Sequence, residues 1–170
     1  MKNIFLTGGT GFVGKHFRKR FSSKYKIIDY SRNSKICINE DYVLHFAGKA
    51  HDLVNVTNPK KYYDVNTELT IKVFDAFLKS CSEVFIFLSS VKAVADKVDG
   101  ILLENFEGNP KTHYGKSKLQ AENYILSKQI PKGKRVYILR PCMIYGPGNK
   151  GNLNLLYKLV SKKIPWPLGA

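Results

Sequence analysis

The stretch Leu6-Thr7-Gly8-Gly9-Thr10-Gly11-Phe12-Val13-Gly14 decides the fold. Before it, Lys2-Asn3-Ile4-Phe5-Leu6 is a short apolar run of strand formers and predicts a buried first strand. After it, Val13, Phe17 and Phe21 recur at four-residue spacing, as on one helix face. Strand, glycine turn and helix start are the parts of a dinucleotide phosphate site. Glycines let the backbone approach a pyrophosphate, and the amides and dipole of the helix N-terminus stabilise its charge. A purely structural turn has the same outline, because glycine-rich turns join strands to helices in many proteins. Gly8, Gly11 and Gly14 are each separated by two residues, which is not the G-x-G-x-x-G of ordinary dehydrogenases.

A chain of 170 residues suits one domain of roughly 100–200 residues. Its hydrophobic content of 44% is enough for a packed core and excludes a disordered chain. No apolar run reaches the roughly 18 residues of a membrane span. One lysine and then a strand open the chain, so no signal peptide is expected. Cys37, Cys81 and Cys142 are far apart and odd in number. They suit buried free thiols in a reducing cytoplasm, with neither a disulfide frame nor a metal site. The net charge of +15 favours anionic ligands. The lysines are scattered, with no zinc-finger spacing, RNP-like strand or long basic tract, so no nucleic-acid partner is expected.

Lys26 to Ser31 reads as the second strand, whose end meets the adenosine ribose in a Rossmann unit. Asp29 comes early for the ribose acid, and the end position falls on Ser31 followed by Arg32. A hydroxyl and a guanidinium tolerate a 2′-phosphate, so the coenzyme stays open between NAD and NADP, and Arg32 as a plain loop cation is the alternative. Ile36-Cys37-Ile38 suggests a small third strand. Tyr42 to Ala47 is a buried strand ending at Gly48, where a ligand crevice would open. His51 follows and receives no proton-transfer role. Tyr62 to Ser80 predicts a long helix with Val65, Leu69, Val73, Ala76 and Phe77 as its stripe. Asn66 lies one residue off that stripe and needs partners.

Glu83 to Leu88 is another buried strand, ending in Ser89-Ser90, two hydroxyls placed either for a ligand or to cap the next turn. Lys92 to Asn109 reads as an exposed irregular loop at the site. Thr112 then opens a helix with Tyr114 and Lys118 four apart on one face. A free tyrosine has a pKa of about 10 and is a poor base. A neighbouring ammonium and a cationic nicotinamide ring would lower it, making a general base. Arg135 to Arg140 is the next strand, stopped by Pro141, and Asn152 to Lys163 reads as a further helix. No internal repeat or low-complexity segment is visible.

Together these residues resemble the extended short-chain dehydrogenase/reductase family, in its NAD-dependent nucleotide-sugar epimerase/dehydratase branch. The motifs appear in order: Thr7-Gly8-x-x-Gly11-x-x-Gly14, His45-Phe46-Ala47-Gly48-Lys49-Ala50, Tyr62-Tyr63-Asp64-Val65-Asn66, Phe85-Ile86-Phe87-Leu88-Ser89-Ser90, Tyr114-x-x-x-Lys118, Leu139-Arg140-Pro141 and Tyr145-Gly146-Pro147-Gly148. The resemblance implies an α/β, Rossmann-like, doubly wound parallel sheet with helices on both faces. It implies that residues 1–150 form an NAD(P)-binding domain and that residues 151–170 begin a truncated substrate-binding region. It implies Ser90, Tyr114, Lys118 and Asn66 as catalytic residues. Gly8, Gly11, Phe12, Val13, Gly14, Ser31, Arg32, Ala47, Gly48, Lys49, Ser89, Tyr114, Lys118 and Pro141 would hold the coenzyme. Ser90, Tyr114, Asn152 and Leu153 would meet the substrate.

The function so implied is epimerisation of a nucleotide-diphospho-sugar by transient oxidation at C4, in cell-surface polysaccharide synthesis. An NADPH-dependent keto-sugar reductase and a non-catalytic dinucleotide-binding module are the alternatives. Ser90 is followed by Val91-Lys92, not by the acids of the sugar dehydratases, which argues against dehydration. The usual acid near adenine is missing from the compressed third-strand region. By analogy the protein is a cytoplasmic homodimer, paired through helices such as Tyr62–Ser80 and Tyr114–Lys128.

Overall fold

Short apolar runs on five strands build one parallel sheet in the computed structural model, which describes residues 1–32, 34–50, 58–98, 100–149 and 152–162. The strands are β1 (Asn3–Thr7), β2 (Lys26–Asp29), β3 (Tyr42–His45), β4 (Val84–Leu88) and β5 (Arg135–Leu139), in the order β2-β1-β3-β4-β5. In-register rows run across the sheet: Leu6, Leu44 and Ile86 share one face, and Thr7, His45 and Phe87 share the other. Helix α1 (Phe12–Phe21) lays Phe17 against Ile4, Leu6 and Leu44. On the opposite face lie α2 (Lys60–Tyr62), a π-helical turn (Tyr63–Glu68), α3 (Leu69–Lys79) and α4 (His113–Leu126). There Val73, Phe74, Phe77, Ala121 and Ile125 close over Phe5, Val43, Phe85 and Phe87. Helix α5 (Asn152–Ser161) follows β5. The strand order reverses direction between β1 and β3, so the connections that leave their carboxyl ends part to opposite faces of the sheet and leave a crevice.

The expected doubly wound sheet is present, with three local differences. Ile36-Cys37-Ile38 joins no ladder; Ile38 is buried and Ile36 packs beside it as a plug on the core, which leaves β2 as the edge. The long helix is interrupted by the π-helical turn, which admits about one more residue per turn and slips the buried stripe. Val65 is therefore only half-buried, while Asn66, Thr67 and Thr70 are fully buried. The three cysteines are free, as expected, but exposed, because each lies in a connecting segment rather than on a core face. The expected irregular loop opens with a short 3-10 turn, Val91–Ala93, whose Ala93 is buried beside Val94. His51 lies outside the described residues.

Candidate active site

The glycine turn is pressed between β3 and α1. Gly8 has φ +73°, and a Cβ there would stand 2.6 Å from the Ala47 nitrogen and the Phe46 carbonyl carbon. Only glycine combines that backbone with that approach. A Cβ on Gly14 would overlap the Gly8 carbonyl oxygen and stand 2.7 Å from the Gly9 Cα. The turn is closed by Gly11 N–H donating to Gly8 O at 2.9 Å. No side chain caps α1, so its N-terminal amides are left for another acceptor.

Two cavities meet at this turn and share Gly8, Gly11, Phe46 and Gly48. One, of about 420 Å³, is also lined by Phe12, Val13, Gly14, Ser89, Ser90, Tyr114, Lys118 and Pro141. The other, of about 550 Å³, runs past Ala47 to Ser31 and Arg32, with Asp29, Asp64 and Lys72. Together they form a trough across the N-terminus of α1, which fits an elongated pyrophosphate-linked molecule with a group at each end. The side-chain-free cradle of Gly8 and Gly14 and the uncapped helix fit its phosphates.

Ser90, Tyr114 and Lys118 converge at one end of the trough. Ser90 lies two residues past the end of β4 and caps the 3-10 turn, its Oγ accepting from Lys92 N–H at 3.2 Å. The capping and ligand-facing readings of this serine are thus compatible. Thr112 caps α4, its Oγ1 accepting from Gly115 N–H at 3.1 Å, and this sets Tyr114 in the first turn. The Ser90 hydroxyl lies close enough to the Tyr114 phenol to favour its ionised form. Lys118, only 3% exposed, donates to Leu88 O at 2.7 Å and lies 4.6 Å over the Phe87 ring.

Electrostatics here differ from the sequence-based expectation. Burial pushes the Tyr114 phenol above its usual value, and the nearby Ser90 hydroxyl only partly opposes it. Lys118 is itself pushed down to about 8 by burial, against the opposing pull of Glu122. Its ammonium donates to Leu88 O, and at Tyr114 desolvation is the dominant effect.

Asn66 lies behind the trough, fully buried, and joins three segments. Its Oδ1 accepts from Lys49 N–H at 2.8 Å, and its Nδ2 donates to Lys49 O at 3.1 Å and to Ser117 Oγ at 2.9 Å. The π-helical turn aims it there, which accounts for its position one residue off the stripe. Lys49 lines neither cavity; its ammonium lies 5.0 Å over the Tyr62 ring. Asn152 and Leu153 begin α5, and their side chains lie outside the described residues.

Several neighbours escaped sequence reasoning. Glu122, fully buried, accepts from Ser89 Oγ and from Arg140, whose Nη2 stands 2.6 Å away. Arg140 also donates to Glu104 O at 3.0 Å, tying β5 to the loop above the site. Glu122 was findable, because it lies four residues past Lys118 on the same helix face. Asp29 is paired with Arg18 beside Gly9. His45, Thr7 and Thr70 form a hydrogen-bonded row under the turn.

Residues 4–164 match the sequence profile described as the NAD dependent epimerase/dehydratase family. The chain is 31% identical over 199 residues to UDP-glucose 4-epimerase of Vibrio cholerae, covering 99% of this chain and 60% of that protein. It is 31% identical over 184 residues to N-acetyl-alpha-D-glucosaminyl-diphospho-ditrans,octacis-undecaprenol 4-epimerase of Escherichia coli O157:H7, covering 95% of this chain and 55% of that protein. The chain thus spans a little over half the length of both relatives. Its fold is similar to that of UDP-glucuronic acid 4-epimerase from Bacillus cereus solved in complex with NAD. The TM-score is 0.75 at 20% identity, over 95% of this chain and 63% of that one.

Proposed function

The chain belongs to the NAD-dependent epimerase/dehydratase family, and from that premise we propose that it is the coenzyme-binding and catalytic part of a nucleotide-diphospho-sugar 4-epimerase. The observation that supports this most is the meeting of Ser90, Tyr114 and Lys118 in a cavity bounded by Gly8, Gly11 and Gly14. In the trough, Gly8, Gly11, Gly14 and the first amides of α1 would hold the pyrophosphate of NAD, and Ser31 and Arg32 would face the adenosine end. NAD supplies the hydride acceptor and a positively charged ring at the Tyr114 end.

Tyr114 then removes the proton of the sugar 4-hydroxyl at its phenolic oxygen. Burial alone raises this phenol, so it is held protonated until positive charge arrives beside it. Ser90 donates its one hydroxyl hydrogen to the same sugar oxygen. Lys118, held under the crevice by Leu88 O, turns its remaining N–H donors to the coenzyme ribose. Asn66 fixes the Lys49 backbone and the first turn of α4, so it positions rather than reacts. Pro141 and Ser89 form wall, and Asn152 and Leu153 would meet the sugar-nucleotide, as the family resemblance implies. The outer faces of α3 and α4 are the surface through which two copies would pair. Among the described residues no helix is long and apolar enough to cross a membrane. Three free, exposed thiols fit a reducing cytoplasm.

The test replaces Tyr114 by Phe in the full-length protein and follows 4-epimerisation of UDP-sugars. Turnover falls by about 10²–10⁴ with NAD binding retained, as for loss of a general base. Unchanged turnover would remove the mechanism. A second reading, an NADPH-dependent keto-sugar reductase, is favoured by one feature: Arg18 engages Asp29, while Arg32 and Lys72 line the adenosine end. Coenzyme consumed once per turnover would select the reductase, and coenzyme retained unchanged would select the epimerase.

A further inference from the structure

His45 stands on β3 in an otherwise apolar run and is fully buried. Its ring stacks on Phe87 at 5.7 Å and on Phe85 at 6.3 Å. Each ring nitrogen meets a threonine hydroxyl: Nδ1 meets Thr7 Oγ1 at 2.7 Å, and Nε2 meets Thr70 Oγ1 at 2.9 Å. Counting hydrogens fixes the rest. Thr70 has one hydroxyl hydrogen and donates it to Asn66 O at 2.7 Å, so toward His45 it only accepts. Nε2 therefore carries a hydrogen. Thr7 Oγ1 accepts from Ala47 N–H at 3.1 Å and keeps its own hydrogen for Nδ1, which is bare.

The bonds form one directed row from Ala47 N–H through Thr7, His45 and Thr70 to Asn66 O. It begins beside Gly8, since Thr7 is the residue before the turn and Ala47 packs against it. It ends at the residue whose Nδ2 donates to Ser117 Oγ, which in turn donates to Tyr114 O at 2.8 Å. Two turns of backbone that must be in register, one under the phosphates and one bearing the phenol, are linked through this imidazole, alongside the Asn66 bonds to Lys49 and Ser117. A protonated ring would leave Thr7 facing a second donor, and burial with Lys118 nearby pushes His45 down to about 3, so the neutral form persists at working pH.

We propose that His45, neutral and protonated only at Nε2, is a positioning residue that sets the glycine turn against the helix carrying Tyr114 and Lys118. Its consequence for turnover rests on the proposed function, but its tautomer does not. Two conservative changes at Thr70 separate register from bulk. Thr70→Val keeps the volume and removes the bridge, and Thr70→Ser keeps the hydroxyl.

The experiment uses the full chain with nitrogen-labelled histidine. Imidazole nitrogen spectra are expected to show His45 bare at Nδ1, protonated at Nε2 and without titration from about pH 5 to pH 9. An Nδ1–H ring, or a midpoint in that range, overturns the assignment. In the same preparation Thr70→Val weakens NAD binding or lowers kcat by about tenfold with KM little changed, and Thr70→Ser restores it. Wild-type values in a folded Thr70→Val variant overturn the coupling while leaving the proposed function standing. A wild-type protein that binds no NAD defeats the proposed function, and the tautomer measurement still decides for or against His45. Should Thr70→Val not fold, the wild-type spectrum carries the decision.

Discussion

Gly14→Ala is predicted to destabilise the protein although alanine is the better helix former. Gly14 is buried in the first turn of α1. Propensity alone would make alanine about 0.8–1.0 kcal/mol more favourable there. Against this, the new Cβ would overlap Gly8 O and stand 2.7 Å from Gly9 Cα and 2.9 Å from Gly8 C. Carbon atoms prefer about 3.5–4.0 Å, so roughly 1 Å of relief is needed. The opposing atoms are backbone and belong to a turn closed by the Gly11–Gly8 bond, so either the turn opens or α1 lifts from the sheet. Overpacking of this kind costs about 1–3 kcal/mol, and the net expectation is a loss of up to about 2 kcal/mol. Gly11→Ala is the contrast, since its Cβ would meet only Gly8 O, at 3.2 Å. A loss of about 0.5 kcal/mol is expected there, from the weaker N-cap. Urea unfolding at constant m-value reads both changes. Calorimetric titration with NAD should show affinity falling at least about tenfold in Gly14→Ala, or 1.4 kcal/mol. Wild-type stability and affinity in Gly14→Ala would refute the close approach.

Arg140→Met strands the Glu122 carboxylate, fully buried, with Ser89 as its remaining hydrogen-bond donor among the described residues. A loss of about 3–5 kcal/mol is expected by denaturant unfolding. Adding Glu122→Gln should recover much of it; an additive pair of losses would contradict the coupling. Lys118, at about 8 in the folded chain against 10.5 for the ordinary side chain, makes stability depend on pH. Between those values the unfolded chain holds a proton that the folded chain lacks, so stability rises with pH across the window and falls as pH drops through it. The full swing is on the order of 3 kcal/mol, and Lys118→Met should remove it and be more stable than wild type at pH 7. A wild-type stability profile with the same slope as that of Lys118→Met would contradict the burial of this charge.

Most of the framework is legible in the chain because burial on both faces writes continuous apolar runs at β1, β3 and β4. Tyr114, Ser90 and the glycines are legible because they sit at or beside element ends, where backbone rules restrict residue type, and Lys118 because it lies four residues past Tyr114 on one helix face. Other features depend on three dimensions. Ile36 and Ile38 alternate as in a strand, yet that pattern serves equally for a plug on a core. Asn66 is misplaced by any regular helical period, since one π-helical turn moves the stripe. The sign of the Tyr114 shift is set by burial of the phenol, which depends on packing that the local sequence does not show. The Glu122–Arg140 pair bridges a helix and a strand end 18 residues apart, and no local pattern announces it.

The most direct test of the central claim is a crystal structure of the full chain soaked with NAD. The dinucleotide should cross the N-terminus of α1 over Gly11, with its adenosine toward Arg32 and its second ribose within hydrogen-bonding distance of Tyr114 Oη and Lys118 Nζ. A dinucleotide seated elsewhere, or one whose reactive ring lies away from Ser90 and Tyr114, would contradict it.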